Sequence, residues 1–214
     1  MKTISLRFIL ITGIFLLSLF IFGWIAHEIV AENENHLDTL VFDKLHHITT
    51  PALTKLMTII TFFGSHYFLL PAYAVLTICF IKKHRKLALT IAIIGLTSTA
   101  LLYFLKDVYK RIRPLDPLVA KLNGFSFPSG HSFSAFTFFG LLIYIIWKLK
   151  VNPALRWTAS MIFFLFACAI AFSRVYLHLH YASDVIAGFC LCLIWLGLSF
   201  WATNKLDKKN GAHK

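Results

Sequence analysis

Long runs of apolar residues fill most of the chain, and polar residues are confined to short stretches between these runs. A helix that crosses a bilayer needs about 20 mostly apolar residues. The pattern therefore predicts six transmembrane helices. They are expected over residues 6–26, 66–81, 87–105, 132–147, 155–172 and 183–202. A signal peptide is the alternative for the first run, but the run is long for one and no small-residue cleavage site follows it.

Residues 40–63 carry a weaker pattern. Apolar residues recur there at helical spacing, from Leu45 to Phe63, but Lys55 and several threonines interrupt them. This mixture favours an amphipathic helix that lies near the membrane interface and leads into the second span through Gly64 and Ser65. One long tilted helix is the alternative.

Composition limits the class of protein further. The chain has 214 residues, of which 58% are hydrophobic and 14% charged, and its mean hydropathy is +0.75. These values exclude a disordered protein, a disulfide-stapled secreted domain and an ordinary soluble enzyme. Because the predicted spans use up nearly the whole length, we expect an all-α, polytopic membrane protein. Its single domain over residues 1–214 would be a bundle of six transmembrane helices with one interfacial helix.

The charge distribution predicts an orientation in the membrane. A formal net charge of +12 is compatible with nucleic-acid binding, but the basic residues sit in short clusters between apolar runs, where membrane orientation explains them. Six spans place most of the 21 Lys and Arg residues on the side of the two termini. The positive-inside rule therefore predicts cytoplasmic termini in the plasma membrane. Residues 106–121 break this rule with five basic residues on the outer side, which we interpret as an anion-binding site.

Three groups of polar residues border the predicted spans on that outer side. The first follows the third span, the second precedes the fourth span, and the third lies between the fifth and sixth spans. Their members are Lys106, Arg113 and Pro114; Pro128, Ser129, Gly130 and His131; and Ser173, Arg174, His180 and Asp184. The number of spans alone brings all three groups to one membrane face.

Several of these residues are suited to binding phosphate. Ser129 and Gly130 after a proline and before an apolar run are typical of a helix N-terminus, where free N–H groups and the helix dipole attract anions. Gly130 lets the backbone approach the ligand. Arg113 and Arg174 can bind phosphate oxygens in a bidentate manner, and Lys106 adds a mobile point charge.

The histidines supply the candidate chemistry. His180 and Asp184 are four residues apart, so on a helix they would share a face. Asp184 would then accept the Nδ1 proton of His180 and leave Nε2 free to attack phosphorus, while His131 is available to donate a proton to the leaving oxygen. Asp184 would raise the pKa of His180 and nearby cations would lower it, which leaves its protonation state open. No cluster of carboxylates, cysteines or histidines has ligand spacing apart from His178 and His180, which are two residues apart and would not share a helical face. Phosphoryl transfer is therefore expected without a metal or another cofactor.

Together the three groups resemble the signature of the type 2 phosphatidic acid phosphatase (PAP2) superfamily. The elements K-x6-R-P, P-S-G-H and S-R-x5-H-x3-D occur complete and in order within residues 106–184. The resemblance extends to the six helices and the interfacial segment of small bacterial members. It implies that His180 is the nucleophile that forms a phosphohistidine, that Asp184 orients it, and that His131 acts first as acid and then as base. The phosphate-binding residues that it implies are Lys106, Arg113, Ser129, Gly130 and Arg174, with no metal.

We therefore expect a membrane enzyme that removes phosphate from a lipid phosphate or diphosphate at the outer face of the membrane. Phosphatidylglycerophosphate and undecaprenyl diphosphate are competing substrates, phosphatidic acid is a further one, and no residue decides among them. A lipid phosphotransferase and a non-enzymatic transporter of anions or lipids are the alternatives. No obligate protein partner is predicted.

Polar residues beside the three groups are assigned structural roles. Lys110 and Arg111 are expected to extend from a helix end toward water, as basic residues near membrane interfaces commonly do. His178 is expected to be a bystander beside His180, and His66 a surface residue.

Overall fold

The computed structural model describes residues 6–32 and 36–211, and all regular secondary structure within these residues is helical. Eight helices follow one another: α1 (Leu6–Glu32), α2 (His36–His46), α3 (Pro51–Phe62), α4 (His66–Ile81), α5 (Arg85–Tyr109), α6 (Gly130–Lys148), α7 (Pro153–Tyr176) and α8 (Ala182–Gly211). Residues 1–5 and 212–214 form the two termini, which the sequence assigns to the cytoplasm. They lie outside the described residues.

Six helical stretches are long and apolar enough to cross a membrane, which confirms the predicted all-α, multi-pass architecture. They are Phe8–Val30, Pro51–Ile81, Arg85–Tyr109, Gly130–Lys148, Pro153–Tyr176 and Ala182–Thr203. Each stretch is longer than the apolar run that predicted it. Polar residues at the ends continue the helical hydrogen bonding although they add nothing to the hydropathy.

The amphipathic segment differs from its prediction. Residues 40–63 belong to two helices, α2 and α3, which the residues 47–50 separate. Thr50 caps α3 by accepting a hydrogen bond from the N–H of Leu53 (3.3 Å), and Pro51 occupies the first turn. Because a cap followed by proline favours a new helix start, the helical pattern breaks here. A turn at residues 63–65 then joins α3 to α4.

The central helix of the bundle is α6, which packs against α4, α5, α7 and α8. Its residues Phe133, Ala135 and Leu141 are completely buried. On the outer faces of the bundle, large apolar side chains such as Ile11 and Leu96 are exposed instead. Such exposure is expected where hydrocarbon chains of lipids, and not water, surround the protein.

The three motif groups lie at one end of this bundle, where α5 and α7 end and α6 and α8 begin. After α5, Lys110 takes a left-handed conformation (φ 48°) that turns the chain away from the helix axis. The N–H of Ser129 donates to the carbonyl of Asp184 (3.1 Å), so the first turns of α6 and α8 are tied together. Residues distant in sequence are thereby held on neighbouring helix ends.

Close packing at this end depends on Gly64, in the turn between α3 and α4. A Cβ atom there would lie 2.5 Å from Cγ2 of Ile170 and 3.3 Å from both Cβ and the carbonyl oxygen of His131. Only glycine lets this turn approach the first turn of α6 so closely.

We expect Gly64→Ala to destabilise the protein by about 1–3 kcal/mol, the usual cost of overpacking a filled site. The measurement is the thermal unfolding midpoint of purified protein in detergent. Gly23→Ala is the matched control, because nothing lies within 4 Å of a Cβ atom at that position of α1. Equal midpoints for the two variants would contradict the close approach at Gly64.

Candidate active site

A cavity of about 450 Å³ lies where the three motif groups meet. It is lined by six of the residues that the sequence predicts for the site: Lys106, Arg113, Gly130, His131, Arg174 and His180. The other two predicted residues, Ser129 and Asp184, are completely buried next to them. All eight therefore belong to one region of the fold, although their roles remain predictions.

His180 lies in the turn between α7 and α8, and not on a helix with Asp184 as expected. Its N–H donates to the carbonyl of Arg174 (3.2 Å), which holds the turn against the end of α7. Nδ1 lies 3.4 Å from Oδ2 of Asp184, and Nε2 lies 3.1 Å from Nη1 of Arg113. The ring thus has the orientation that the sequence predicts, with Nδ1 toward the carboxylate and Nε2 toward the cations of the cavity.

The carboxylate of Asp184 is surrounded by hydrogen-bond donors. Its Oδ1 accepts from Nη1 of Arg111 (2.7 Å). Its Oδ2 accepts from the N–H of Tyr181 (3.0 Å) and from the hydroxyl of Ser126, which also lies 3.4 Å from Nδ1 of His180. A carboxylate bound at both oxygens has little freedom to rotate, so it presents a fixed acceptor to the imidazole.

Burial lowers the pKa of His180 well below its ordinary value, and the positive charges of Arg174, Arg113 and Lys106 lower it further. The imidazole is therefore neutral at neutral pH. Its Nε2 carries a lone pair that can accept from Arg113, and a neutral imidazole is also the nucleophilic form. The opposing effects that the sequence left open are thus decided in favour of burial and the cations.

Arg174 has the features of an anion receptor. It is 2% exposed in the last turn of α7, and its Nη1 donates to the hydroxyl of Thr61 (2.7 Å). Its Nε and Nη2 have no hydrogen-bond partner among residues 6–32 and 36–211. Unsatisfied buried N–H groups are costly, and an oxyanion that accepts from both would remove that cost.

Lys106 and Arg113 are held by the backbone of the segment before α6. Nζ of Lys106 donates to the carbonyl of Phe125 (2.6 Å), and Nε of Arg113 donates to the carbonyl of Gly124 (3.0 Å). A second bond runs from Nη1 of Arg113 to the carbonyl of Leu179 (2.8 Å). Because Gly124 has φ of +83°, a conformation that favours glycine, the segment can turn its carbonyls toward both cations.

Ser129 and Gly130 begin α6 as the sequence predicts, but their contacts add detail. Ser129 occupies the N-cap position, yet its hydroxyl bonds to that of Ser132 (2.8 Å) and makes no side-chain cap of the helix. A Cβ atom on Gly130 would lie 3.0 Å from Cδ2 of Leu102. Glycine at this position therefore allows close packing of α5 against the start of α6.

The assignment of Arg111 to the water-exposed surface is wrong. Its side chain is 1% exposed and donates to both Asp184 and Asp38. Its neighbour Lys110 does extend outward, with a side chain that is 62% exposed. Sequence analysis missed Arg111, Ser126 and Asp38 because no spacing rule distinguishes them from polar residues at the surface.

The remaining histidines differ in position. His178 packs its ring against Phe42 (4.7 Å between centroids), and its Nδ1 lies 3.2 Å from the carbonyl of Asp116. His66, at the start of α4, is exposed as predicted and also lines the cavity. The structure thus separates His178 from the cavity wall that His180 forms.

Comparison with known proteins identifies the family of the chain. The model of the PAP2 superfamily matches residues 83–208. The chain is 34% identical over 168 residues to phosphatidylglycerophosphatase B of Bacillus subtilis (strain 168), which covers 76% of this chain and 79% of that protein. These matches show that the chain belongs to the PAP2 superfamily.

Two further similarities extend over more of the chain. An undecaprenyl-diphosphatase of Sulfolobus acidocaldarius is 28% identical over 183 residues, or 82% of this chain and 84% of that protein. The crystal structure of a transmembrane PAP2-type phosphatidylglycerolphosphate phosphatase from Bacillus subtilis superposes with a TM-score of 0.77 at 28% identity. That superposition covers 93% of this chain and 96% of the other. The likeness in fold therefore includes helices that precede residue 83.

We expect Arg174→Lys to weaken the binding of inorganic phosphate by about 10- to 100-fold, because an ammonium cannot replace the planar fork of N–H groups. Isothermal titration calorimetry of the protein in detergent measures the affinity. Arg156→Lys, at the opposite end of the same helix, is the control and should leave it unchanged. Equal affinities for Arg174→Lys and the unmodified protein would contradict the assignment of Arg174 as a phosphate receptor.

Proposed function

We propose that the protein is an integral membrane phosphatase that hydrolyses a lipid phosphate or diphosphate through a phosphohistidine at His180. The observation that carries this proposal is the placement of Nε2 of a neutral, buried histidine in a cavity with Arg113, Arg174 and Lys106. A neutral nucleophile surrounded by cations suits attack on a phosphorus atom, since the cations stabilise the oxygens that gain charge.

In the first step, the lone pair of Nε2 of His180 attacks phosphorus and forms an N–P bond. The bond from phosphorus to the lipid oxygen breaks, and that oxygen takes its electron pair together with a proton from His131. The lipid leaves as an alcohol, or as a monophosphate if the substrate is a diphosphate. Asp184 accepts a hydrogen bond from Nδ1–H and so stabilises the positive charge that the ring acquires.

In the second step, water attacks the phosphohistidine. His131, which has lost its proton, takes one from the water, and the N–P electron pair returns to Nε2. Inorganic phosphate is released and both histidines regain their initial protonation. Arg174, Lys106 and the first N–H groups of α6 bind the phosphoryl oxygens in both steps. Since these groups supply the positive charge, the mechanism requires no metal.

The shape of the cavity supports a lipid substrate. From its cationic end the cavity continues between α4 and α5, past five leucine or tyrosine residues and two hydroxyl residues. They are Leu69, Leu70 and Tyr73 on α4, and Ser98, Thr99, Leu102 and Tyr103 on α5. Leu70 and Tyr103 are also exposed on the outer face of the bundle. A lipid tail could therefore pass sideways from the bilayer while its phosphate reaches His180.

We further propose that the cavity opens on the extracytoplasmic side of the plasma membrane. The six spans put the segments at 82–84 and 149–152 on the same side as both termini, and this side carries most of the Lys and Arg residues. The positive-inside rule assigns that side to the cytoplasm. Lys106, Arg113 and Arg174 then lie on the other side, where their charge serves to bind phosphate.

Two lipid classes are candidates for the substrate. The similarity to phosphatidylglycerophosphatase B favours a phosphatidylglycerophosphate-type lipid. The similarity to an undecaprenyl-diphosphatase favours undecaprenyl diphosphate as the second candidate. Both lipids would present a phosphoryl group to the same cations and an apolar tail to the same lateral cleft. A panel of these two lipids and phosphatidic acid, compared by kcat/KM, distinguishes them.

We expect purified protein to release inorganic phosphate from such a lipid with water as the only acceptor and EDTA in the buffer. His180→Ala should reduce the rate at least about 10³-fold, because it removes the nucleophile. His178→Ala is the matched control and should retain most of the activity. Full activity of His180→Ala would contradict the assignment of His180 as the nucleophile, and an unmodified protein that releases no phosphate from any lipid of the panel would favour a transporter. Dephosphorylation of the donor lipid only when a lipid acceptor is added, with the phosphoryl group found on that acceptor and not in inorganic phosphate, would favour a phosphotransferase. Inhibition by EDTA that a divalent ion reverses would refute the metal-free mechanism.

The electrostatics of His180 predict a pH effect. Because Arg113 lowers the pKa of His180, Arg113→Gln should raise it, so imidazolium forms at higher pH and activity is lost earlier on acidification. The acidic limb of log kcat/KM against pH should move to higher pH than in the unmodified protein with the same substrate. Titration of the substrate affects both proteins equally. Lys121→Gln, in the same loop, should leave the limb in place; a limb that is unmoved or lower in Arg113→Gln contradicts the prediction.

A further inference from the structure

We propose that Arg111 and Asp38 are positioning residues, which together fix the carboxylate of Asp184 and through it the ring of His180. This inference rests on the proposed function. It extends the site beyond the three motif groups to α2, since Asp38 precedes the residues 83–208 that the family model matches.

Arg111 bridges two buried carboxylates. Its Nη1 donates to Oδ1 of Asp184 (2.7 Å), and its Nη2 donates to Oδ2 of Asp38 (2.8 Å). The side chains of all three residues are at most 2% exposed. The guanidinium also lies 4.0 Å from the centroid of the Tyr181 ring, which covers one of its faces. Two carboxylates and an aromatic ring thus fix both the plane and the direction of the Arg111 guanidinium.

Asp38 is bound to the first turn of α8 as well. Its Oδ1 accepts from the N–H of Ser183 (2.9 Å), and its Oδ2 accepts from the hydroxyl of Ser183 (2.6 Å). That hydroxyl is also 2.8 Å from Nη1 of Arg111. A carboxylate at the N-terminus of a helix is favourable because it accepts from free N–H groups and opposes the helix dipole. Asp38 therefore anchors Arg111 and the start of the helix that carries Asp184.

The consequence for catalysis follows from the two oxygens of Asp184. With Oδ1 engaged by Arg111, Oδ2 is the oxygen that faces Nδ1 of His180. The proton of the neutral imidazole is thereby kept on Nδ1, and the lone pair is kept on Nε2, toward the cavity. If Arg111 released Oδ1, Tyr181 and Ser126 would still bind Oδ2, but the carboxylate would gain rotational freedom and hold the proton on Nδ1 of His180 less firmly.

The electrostatics of Arg111 agree with a fixed charge. Burial lowers its pKa, but the carboxylates of Asp184 and Asp38 more than compensate, and the pKa is raised above its ordinary value. A lysine could not replace it, because an ammonium lacks the planar fork that reaches both carboxylates at once. The arrangement therefore depends on the identity of the side chain and not only on its charge.

The test compares Arg111→Lys, Asp38→Asn and the double variant. For each, kcat and KM are measured with the best substrate of the lipid panel described above, and the thermal unfolding midpoint is measured in detergent. Removing outer hydrogen-bonding partners of an active group typically costs about 10- to 100-fold. We expect Arg111→Lys to lose kcat by about that factor and Asp38→Asn by about 10-fold, with KM within about twofold, since neither residue touches the phosphate. The double variant should be no worse than Arg111→Lys alone, because both act through one contact. Lys110→Gln, adjacent but exposed, is the matched control and should match the unmodified protein.

The proposal is overturned by an unchanged kcat in folded Asp38→Asn or Arg111→Lys, or by losses that multiply in the double variant. A loss explained entirely by a smaller folded fraction also overturns it, since that result assigns the contact to stability. If one single variant does not fold, the other decides by the same criterion; if neither folds, the role is structural and the proposal fails. The variant His180→Ala distinguishes a failure of this proposal from a failure of the proposed function. Retained activity of that variant refutes the proposed function itself.

Discussion

Three cations share one cavity with a neutral, buried histidine, and the remainder of the site is arranged around this concentration of charge. Arg174 is buried, and Lys106 and Arg113 are half-buried. Lys106, Arg113 and Arg174 repel one another most strongly where water is excluded, since screening is weakest there. Carbonyl groups of the backbone hold Lys106 and Arg113 in place, and two nitrogens of Arg174 have no hydrogen-bond partner in the part of the chain that the structure describes. Burial, together with the same charges, lowers the pKa of His180 and keeps it unprotonated. The field that attracts a phosphate therefore also prepares the nucleophile that would attack it.

Helix ends carry Lys106, Arg174 and Asp184, whereas Arg113 and His180 lie in the segments that join helices. The bundle brings the ends of α5 and α7 against the starts of α6 and α8, where free N–H groups and helix dipoles add to the positive field. Rigid elements can hold side chains in a fixed geometry more accurately than loops can. The close approach at Gly64 and the bond between Ser129 and Asp184 are the local features that bring these ends together.

Lys110 and Arg111 show that a sequence pattern does not distinguish an exposed basic residue from a buried one. Both are basic, both follow the same predicted span, and both fit the pattern of side chains that extend toward water. In the structure Lys110 is exposed, whereas Arg111 is buried between Asp184 and Asp38. The difference arises because Lys110 turns the chain at the end of α5, and the next residue then faces α2 and α8. The role of Asp38 could not be predicted from the sequence either, since its partner Arg111 lies 73 residues away in the chain.

The sequence alone determined the properties that depend on local composition and spacing. Hydropathy defined six membrane spans, and the motifs identified the residues that line the cavity and implied their family. Tertiary structure decided what depends on distance and dielectric: the turn that holds His180, its neutral state, the break between α2 and α3, and the burial of Arg111. A linear pattern records which residues are present and how they are spaced. Only the folded chain sets which charges lie a few ångströms apart and how little water separates them.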